Sequence, residues 1–304
     1  QEVCKTPQAM VLIASQRNSY EAVYGEELWQ IPVGEGQFQD VVLDSMRDLL
    51  AQMKCMVLMA EEYNITLSES EKRLVREASD AFCQAADPDG MAQAGITEED
   101  VYEMMYEYRL SHYLISELTK DVDVEVSDND ARVVQVQQIF FSIYKDTDTG
   151  SVLMSEEEQR SQYERLETVR QRVENGEDFS KMAEIYGAGQ QTQLAVGRGE
   201  MPASYEEAVF ALADDEVSSV IETEEGYYLV KCLEDYDVEA TQMRKAEMGA
   251  YKKEEAFTQL YDTFSAGLTA EFNQDAWDAL SMTEGIHISG ADFFGIYSSY
   301  FEDV

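Results

Sequence analysis

Apolar residues recur at every third or fourth position over four long stretches of the chain, which is the spacing of one face of an α-helix. The clearest stretch is residues 40–63, whose apolar face comprises Val42, Met46, Leu49, Leu50, Met53, Val57 and Ala60. Similar spacing follows at residues 68–86, 97–120 and 241–272. We therefore expect both ends of the chain to be mostly helical. A shorter apolar run at residues 8–16 fits either a buried strand or the start of a helix.

Several of these helices have a recognisable first turn. Ser68 and Ser155 are each followed three residues later by Glu, which is the capping-box spacing, and Thr97 precedes an acidic turn that suits a helix start. Asp87-Pro88-Asp89-Gly90 should break the helix that starts at Ser68. Residues 272–280 are expected to form the last helix, and the aromatic tail after them is left without a predicted structure.

The pattern changes in the middle of the chain, where β-branched and aromatic residues dominate short runs. Residues 133–144 are expected to form a strand, and the runs 217–221 and 227–233 flank the turn Glu222-Thr-Glu-Glu-Gly226, which is typical of a hairpin. Helices are expected from Ser155 to about residue 174 and over residues 179–186. The pattern therefore predicts an α+β region between two mostly helical ends of the chain.

A glycine turn precedes the hairpin. In Gly197-Arg198-Gly199, both glycines permit positive φ. Ser204 is then expected to be the N-cap of a short helix, with Glu207 at the capping-box spacing. That helix would present Ala208, Val209 and Phe210 to a core.

Six pieces in order across residues 134–235 resemble a parvulin-type peptidyl-prolyl isomerase domain. They are Val136-Gln-Gln-Ile-Phe140, Gly176-Glu-Asp-Phe-Ser-Lys-Met-Ala183, Gly197-Arg-Gly-Glu-Met201, Tyr205-Glu-Glu-Ala-Val-Phe210, Glu216-Val-Ser218 and Thr223-Glu-Glu-Gly-Tyr-Tyr228. The resemblance implies a small antiparallel sheet flanked by helices and an active site that isomerises prolyl peptide bonds.

The resemblance also shows what this chain lacks. Parvulins carry one histidine on the first strand and another after the last Gly-aromatic pair, and these positions hold Gln138 and Tyr228 here. The chain has only His112 and His287, both outside the module. Residues 186–190 also lack the acidic or thiol residue that parvulins place after the second helix. The resemblance therefore implies a retained fold with a degenerate catalytic site.

By position, the apolar proline pocket of the family corresponds to Met201, Tyr205 and Phe210. The remaining polar groups would be Gln138, Thr223 and Tyr228, which can hydrogen-bond. Weak residual isomerisation is one interpretation of this set. The other is that these side chains only fill a small core and a surface groove.

The helical ends resemble the chaperone module of PrsA- and SurA-like foldases, which implies one discontinuous domain. The predicted fold is α+β: a mostly helical chaperone domain from residues 1–130 and 236–304, with a parvulin-like domain at 131–235 inserted between them. Four methionines on the helix at residues 40–63 and four tyrosines on the helix at 97–120 could line a cradle for varied unfolded segments or be ordinary core.

Charge narrows the choice of partners. The net charge is −40, from 62 acidic and 22 basic residues spread over the chain, and such a field repels nucleic acid and anionic headgroups. No apolar run is long enough to span a membrane. We expect an extracytoplasmic protein whose signal has been removed, with membrane attachment only through a lipid anchor. Cys4 lacks the apolar lipobox that such an anchor requires.

The cysteines and acidic runs give no sign of a metal site or cofactor. The four cysteines are widely spaced, without a Cys-x-x-Cys pair, so we expect no zinc site. Cys55 and Cys83 are expected to be buried thiols, with a bridge between them as the alternative. Residues 156–158 and 214–216 could bind calcium, but a solvated helix start and a turn are preferred.

Three functions are compatible with the sequence. The first is an exported chaperone that binds unfolded or extended segments of secreted proteins, its isomerase activity lost or weak. The second is a working peptidyl-prolyl isomerase that uses Gln138 and Tyr228. The third is a surface module that binds one dedicated partner. A homodimer is compatible with each of them.

Overall fold

The computed structural model describes residues 2–147, 150–187, 190–285 and 287–301. The chain divides into two compact units, one formed by residues 1–122 and 254–304 and the other by residues 123–253. The first half contains α1 (Thr6–Tyr24), a 3-10 helix (Glu26–Gln30), β1 (Pro32–Val33), β2 (Gly36–Gln37), α2 (Phe38–Glu62), α3 (Glu69–Ala85), α4 (Pro88–Gln93), α5 (Glu98–Thr119) and α6 (Asp128–Ala131). The remaining elements are β3 (Val133–Ser142), β4 (Tyr144–Thr147), β5 (Gly150–Leu153), α7 (Glu156–Glu174), α8 (Phe179–Tyr186), β6 (Gln193–Gly197), α9 (Ala203–Val209), β7 (Ile221–Glu222), β8 (Gly226–Glu234), α10 (Val238–Ser265), α11 (Gln274–Asp278) and α12 (Phe293–Tyr300).

The first unit is a helical domain with one apolar core. The helix pattern of residues 40–63 is confirmed by α2, whose methionines 46, 53, 56 and 59 are all buried in that core, so they do not line an open cradle. Tyr102, Tyr106 and Tyr113 of α5 are half-buried against the same core. Residues 8–16 lie inside α1, so the alternative of a strand there is wrong.

The C-terminal segment of this unit differs from prediction. The expected helix over residues 272–280 is reduced to α11, and the aromatic tail forms α12, with Phe293 and Tyr297 buried in the core. The tail is held by residues of α1, which are far from it in sequence. The Phe293 N–H donates to Ser15 Oγ at 2.9 Å, and Asn18 Nδ2 donates to two carbonyls of the tail. Periodicity within a short segment carries no information about such distant partners.

The cysteines are free thiols. All four are unpaired in the structure, so a Cys55–Cys83 bridge does not form. Cys55 is buried as expected, whereas Cys83 is only half-buried. Among the described residues, no group of three or more His, Cys, Asp or Glu side chains could hold a metal ion. None of the described helices has the length and apolarity needed to cross a bilayer.

The second unit is built on a four-stranded antiparallel sheet in the order β6-β3-β8-β7. One face packs on α7 and α8 through a core that includes Ile139 and Leu229. The other face packs on α9 through a core that includes Val136 and Val230. The alternation of β3 therefore serves two cores, which explains why none of its residues is fully exposed.

Three local predictions for this unit need correction. Residues 146–150 were expected to form a loop, but residues 146 and 147 lie in β4 and residue 150 lies in β5, which pairs with it. Residues 148 and 149 lie outside the described part of the chain. Ser204 is not an N-cap, because α9 starts after Pro202 and the Ser204 hydroxyl donates to the Glu222 carbonyl at 2.8 Å. Gly197 lies in β6 without positive φ, and an added Cβ would meet the Arg244 and Glu200 side chains.

The predicted fold class is confirmed: a mostly helical domain uses both chain ends, and an α+β domain lies between them in sequence. The exact domain boundary, residues 131–235, stays a prediction. The compact second unit is longer at both ends, since it includes α6 and the first half of α10. Thr241 of α10 shows why, because its hydroxyl accepts the Val133 N–H at 3.1 Å.

Candidate functional site

The candidate site lies on the face of the sheet that carries α9. In the β3–β8 ladder, Gln138 is opposite Val230 and Phe140 is opposite Tyr228. Because side chains alternate along a strand, Gln138, Phe140, Tyr228 and Val230 point to the same face. α9 covers this face and brings Tyr205 to it.

Tyr205 connects the polar and aromatic parts of the site. Its hydroxyl donates to Gln138 Oε1 at 2.7 Å. Its ring packs edge-on against Tyr228 with centroids 5.0 Å apart, and Tyr228 in turn lies 4.4 Å from Phe140. Tyr205 is fully buried and Tyr228 is 5% exposed, so both rings are part of the core of the domain. The two positions that correspond to the parvulin histidines are therefore linked through Tyr205.

Burial keeps both tyrosines protonated. It raises the pKa of Tyr205 well above its usual range, with the neighbouring Tyr228 as a lesser cause. Burial also raises the pKa of Tyr228 to about 12, and the nearby negative charge of Glu225 adds to the effect. At neutral pH each phenol can therefore donate a hydrogen bond but does not act as a base.

The apolar part of the site is held by the glycine turn. Phe210 is 8% exposed, with the Arg198 guanidinium carbon 4.2 Å from its ring centroid. Met201 is half-buried against the same core. Glu206 fixes the turn, since its Oε1 accepts the N–H groups of Gly199 at 2.6 Å and Met201 at 3.0 Å. Gly199 has φ of +85°, as predicted for this turn.

Thr223 is used differently from the other predicted residues. It lies in the β7–β8 turn, where its hydroxyl donates to the Gly226 carbonyl at 3.0 Å and accepts the Gly226 N–H at 3.2 Å. Gly226 has φ of +154°, and an added Cβ would meet the Phe141 carbonyl. Thr223 therefore shapes the turn, and the structure records no contact from it to Gln138 or Tyr228.

Five of the six predicted residues thus share one core: Gln138 joins it through its hydrogen bond to Tyr205, and Met201, Tyr205, Phe210 and Tyr228 are packed in it. Sequence reasoning missed Phe140 and Arg198. Phe140 could have been found from strand alternation, because it is two residues beyond Gln138. Arg198 gave no such signal, since its packing on Phe210 depends on how the glycine turn folds back on α9. Residues 188 and 189 of the loop after α8 lie outside the described residues.

Chemically, this arrangement offers an apolar surface with a few hydrogen-bond donors. The oxygen of Gln138 is occupied by Tyr205, which leaves its amide N–H groups for another acceptor. Neither histidine lies in this unit: the His112 ring is tilted against Tyr108 with centroids 4.7 Å apart, and His287 bonds Asn18 Oδ1 at 3.0 Å, all in the first unit. The unit that holds the site therefore contains no imidazole of its own.

Comparison with known proteins agrees with this geometry. Residues 139–234 match the Rotamase family model, described as the PPIC-type PPIASE domain. "Foldase protein PrsA" of Caldanaerobacter subterraneus is 25% identical over 214 residues, which is 68% of this chain and 62% of that protein. "Chaperone SurA" of Burkholderia thailandensis is 32% identical over 114 residues, which is 34% of this chain and 25% of that protein.

Among solved structures, the peptidylprolyl isomerase PrsA from Bacillus cereus is similar to this chain at 15% sequence identity and a TM-score of 0.39. The matched region covers 83% of this chain and 97% of the PrsA chain. The chain spans about three fifths of the length of the PrsA relatives, namely 62% and 56% of the first two. With a PPIC-type domain match at residues 139–234 and with PrsA and SurA among its relatives, the chain resembles the PrsA and SurA foldases and carries a parvulin-type domain.

Proposed function

We propose that the chain is an extracytoplasmic foldase-type chaperone that binds unfolded or extended segments of secreted proteins, and that its parvulin-type domain has lost most of its isomerase activity. The names of the relatives, foldase and chaperone, support the first part. The observation that carries the second part is the Tyr205–Gln138 hydrogen bond within a buried aromatic core.

Prolyl isomerisation requires an enzyme to lower a rotational barrier of about 18–20 kcal/mol, which it does by stabilising the twisted amide. Polar groups that serve this purpose must be free to meet the amide at the transition state. Here the Gln138 oxygen already has a partner, and the ring of Tyr228 is fixed between Phe140 and Tyr205. These side chains stabilise the domain itself, so a large catalytic contribution from them is not expected.

The charge suits a chaperone of this kind. A net charge of −40 keeps the chain soluble while it holds apolar clients, and it disfavours nucleic acid as a partner. We further propose a lipid anchor as the mode of any membrane attachment. The proposal is compatible with a monomer and with a homodimer, and it requires no cofactor.

The proposal is tested by light scattering of a chemically unfolded, aggregating protein on dilution into buffer with the chain. We expect suppression of aggregation at concentrations comparable to the client. Gln138→Ala and Tyr228→Phe should suppress it as well as the wild type does, because the isomerase positions are not needed for holding a client. No suppression at a several-fold excess of the chain would contradict the proposal.

The second candidate is a working isomerase, which the match of residues 139–234 to the PPIC-type domain favours. In this account, the Gln138 amide N–H groups and the Tyr228 hydroxyl would donate to the twisted amide in place of imidazoles. Catalysed isomerisation of an X-Pro peptide that Gln138→Ala or Tyr228→Phe abolishes would support this candidate over the first. Binding of one protein only, without general suppression of aggregation, would instead support the dedicated-partner module.

A further inference from the structure

A groove of about 510 Å³ lies in the helical unit between the end of α2 and the last turns of α10. It is lined by Glu62, Tyr63, Leu260, Thr263 and Phe264. Leu260, Thr263 and Phe264 share one helix face, because they are three and four residues apart. Leu260 and Phe264 pack their inner sides on the core, and Tyr63 is 44% exposed. The groove thus offers a partly exposed apolar floor.

The two helices are held together beside the groove. Tyr261 of α10 lies beside Cys55 of α2, and Phe257, one turn earlier, is 7% exposed in the core. The walls of the groove are therefore anchored on the core of the unit, and its shape does not depend on a loose loop.

Both helices end at this groove, and neither has a basic residue in its last turn. A helix C-terminus carries a partial negative charge that favours cations nearby. Glu62 lines the groove and is exposed, so it adds a full negative charge. The sequence contains no Lys or Arg at residues 55–71 or 254–304, so neither contributing segment supplies a base to neutralise it.

We infer that this groove is a docking site for client segments in which a short apolar stretch is flanked by Lys or Arg. The apolar side chains contact Leu260, Phe264 and Tyr63, and the flanking cations meet the two helix C-termini and the Glu62 carboxylate. An anionic flank is repelled by the same groups. This inference rests on the proposed chaperone function and deepens it, since it names the class of segment that the helical unit selects.

The test is fluorescence anisotropy of the whole chain with three labelled peptides. All three have the core Leu-Phe-Leu, which is flanked on each side by two lysines, two glutamines or two glutamates. We expect the lysine peptide to bind about tenfold or more tightly than the glutamine peptide, the glutamate peptide to bind weakest, and the preference to shrink as salt rises from about 50 to 300 mM.

Variants separate the groove from the general charge of the chain. Glu62→Gln should weaken binding of the lysine peptide by about threefold or more. The matched control is Glu164→Gln, which neutralises an exposed acid in the other unit. It changes the net charge equally and should leave the affinity for the lysine peptide almost unchanged. Phe264→Ala should weaken the binding of all three peptides. Ile185→Ala, at a position that is 60% exposed in the other unit, should leave their binding unchanged.

Equal weakening by Glu62→Gln and Glu164→Gln would overturn the inference, because the general field of the chain would then account for the preference. An unchanged affinity in Phe264→Ala, in a variant that retains the far-UV circular dichroism of the wild type, would also overturn it. So would a self-association that the groove variants abolish, since a second copy would then occupy the groove. Suppression of aggregation without a lysine preference refutes this inference alone, whereas absence of both refutes the proposed function too.

Discussion

Tyr205 is the residue on which the candidate site depends. Its hydroxyl donates to Gln138, and its ring packs against Tyr228. The residue types of the site could be predicted from sequence, because the family pieces that carry them stand in order along the chain. The hydrogen bond could not, since strand β3 and helix α9 are separated by more than sixty residues and no local pattern links them.

Replacement of Tyr205 by Phe should lower the free energy of unfolding by about 1 kcal/mol, because the Gln138 oxygen loses a partly buried donor. Urea denaturation followed by circular dichroism measures this. The control is Tyr163→Phe, whose ring is 40% exposed and packs edge-on against Tyr227, with an expected change below about 0.5 kcal/mol. Equal effects of the two substitutions would show that the Tyr205–Gln138 bond contributes nothing.

Helix starts were the most predictable feature at the scale of elements. Ser68, Thr97 and Ser155 each accept the backbone N–H three residues on, as their spacing predicts. Ser204 has the same spacing, but its hydroxyl donates to the carbonyl of Glu222, and α9 already begins at Ala203 with Pro202 at the N-cap position. A capping box depends only on local residues, so it fails where a distant strand competes for the hydroxyl.

Helices α2 and α5 are joined by a buried ion pair, which sequence periodicity did not reveal. Lys54 Nζ lies 2.5 Å from Glu107 Oε1, with the side chains 11% and 12% exposed. Burial raises the pKa of Glu107 despite the lysine, and its second oxygen has no hydrogen-bond partner. Lys54 therefore compensates the buried negative charge of Glu107.

Lys54→Met should accordingly destabilise the helical unit by about 3 kcal/mol, because it leaves a buried carboxylate unpaired. The double variant Lys54→Met/Glu107→Leu should recover most of that loss, since it removes both charges. Thermal unfolding of the two variants and the wild type provides the comparison. A double variant no more stable than Lys54→Met would show that the loss comes from packing and not from the unpaired charge.

Helix α7 should contribute a pH-dependent stability. Hydrogen bonds from Lys145 first, and then from Ser155, lower the pKa of Glu158 to about 2. A lowered carboxyl pKa stabilises the folded state above the ordinary pKa of about 4.5, and this stabilisation is lost as the pH falls toward about 2. The difference in Tm between wild type and Glu158→Gln should therefore be constant above about pH 5 and shrink below it.

Glu157→Gln is the matched control for this prediction, because it removes one charge from the same turn of α7 without removing the capping-box carboxylate. Its effect on Tm should be smaller than that of Glu158→Gln at neutral pH. A Glu158→Gln difference that does not change between pH 7 and pH 3 would contradict the assignment.

At the scale of the whole molecule, the fold class was predictable because two kinds of periodicity divide the chain clearly. The tail was not predictable. Residues 293–300 are fixed by Ser15, which lies 278 residues from Phe293 in sequence, and by packing on the core of the helical unit. The groove beside α10 was missed for the same reason, since its two walls come from opposite ends of the chain.

The central claim is that the chain binds polypeptide segments while its parvulin-type domain no longer isomerises them efficiently. Exchange NMR of a short X-Pro peptide mixed with a substoichiometric amount of the chain tests both parts in one sample. Uncatalysed exchange takes tens of seconds or more at 25 °C, too slow to give cis–trans cross-peaks. We predict broadened or shifted peptide signals without such cross-peaks. Strong cross-peaks that vanish in Tyr228→Phe would contradict the account and identify a working isomerase.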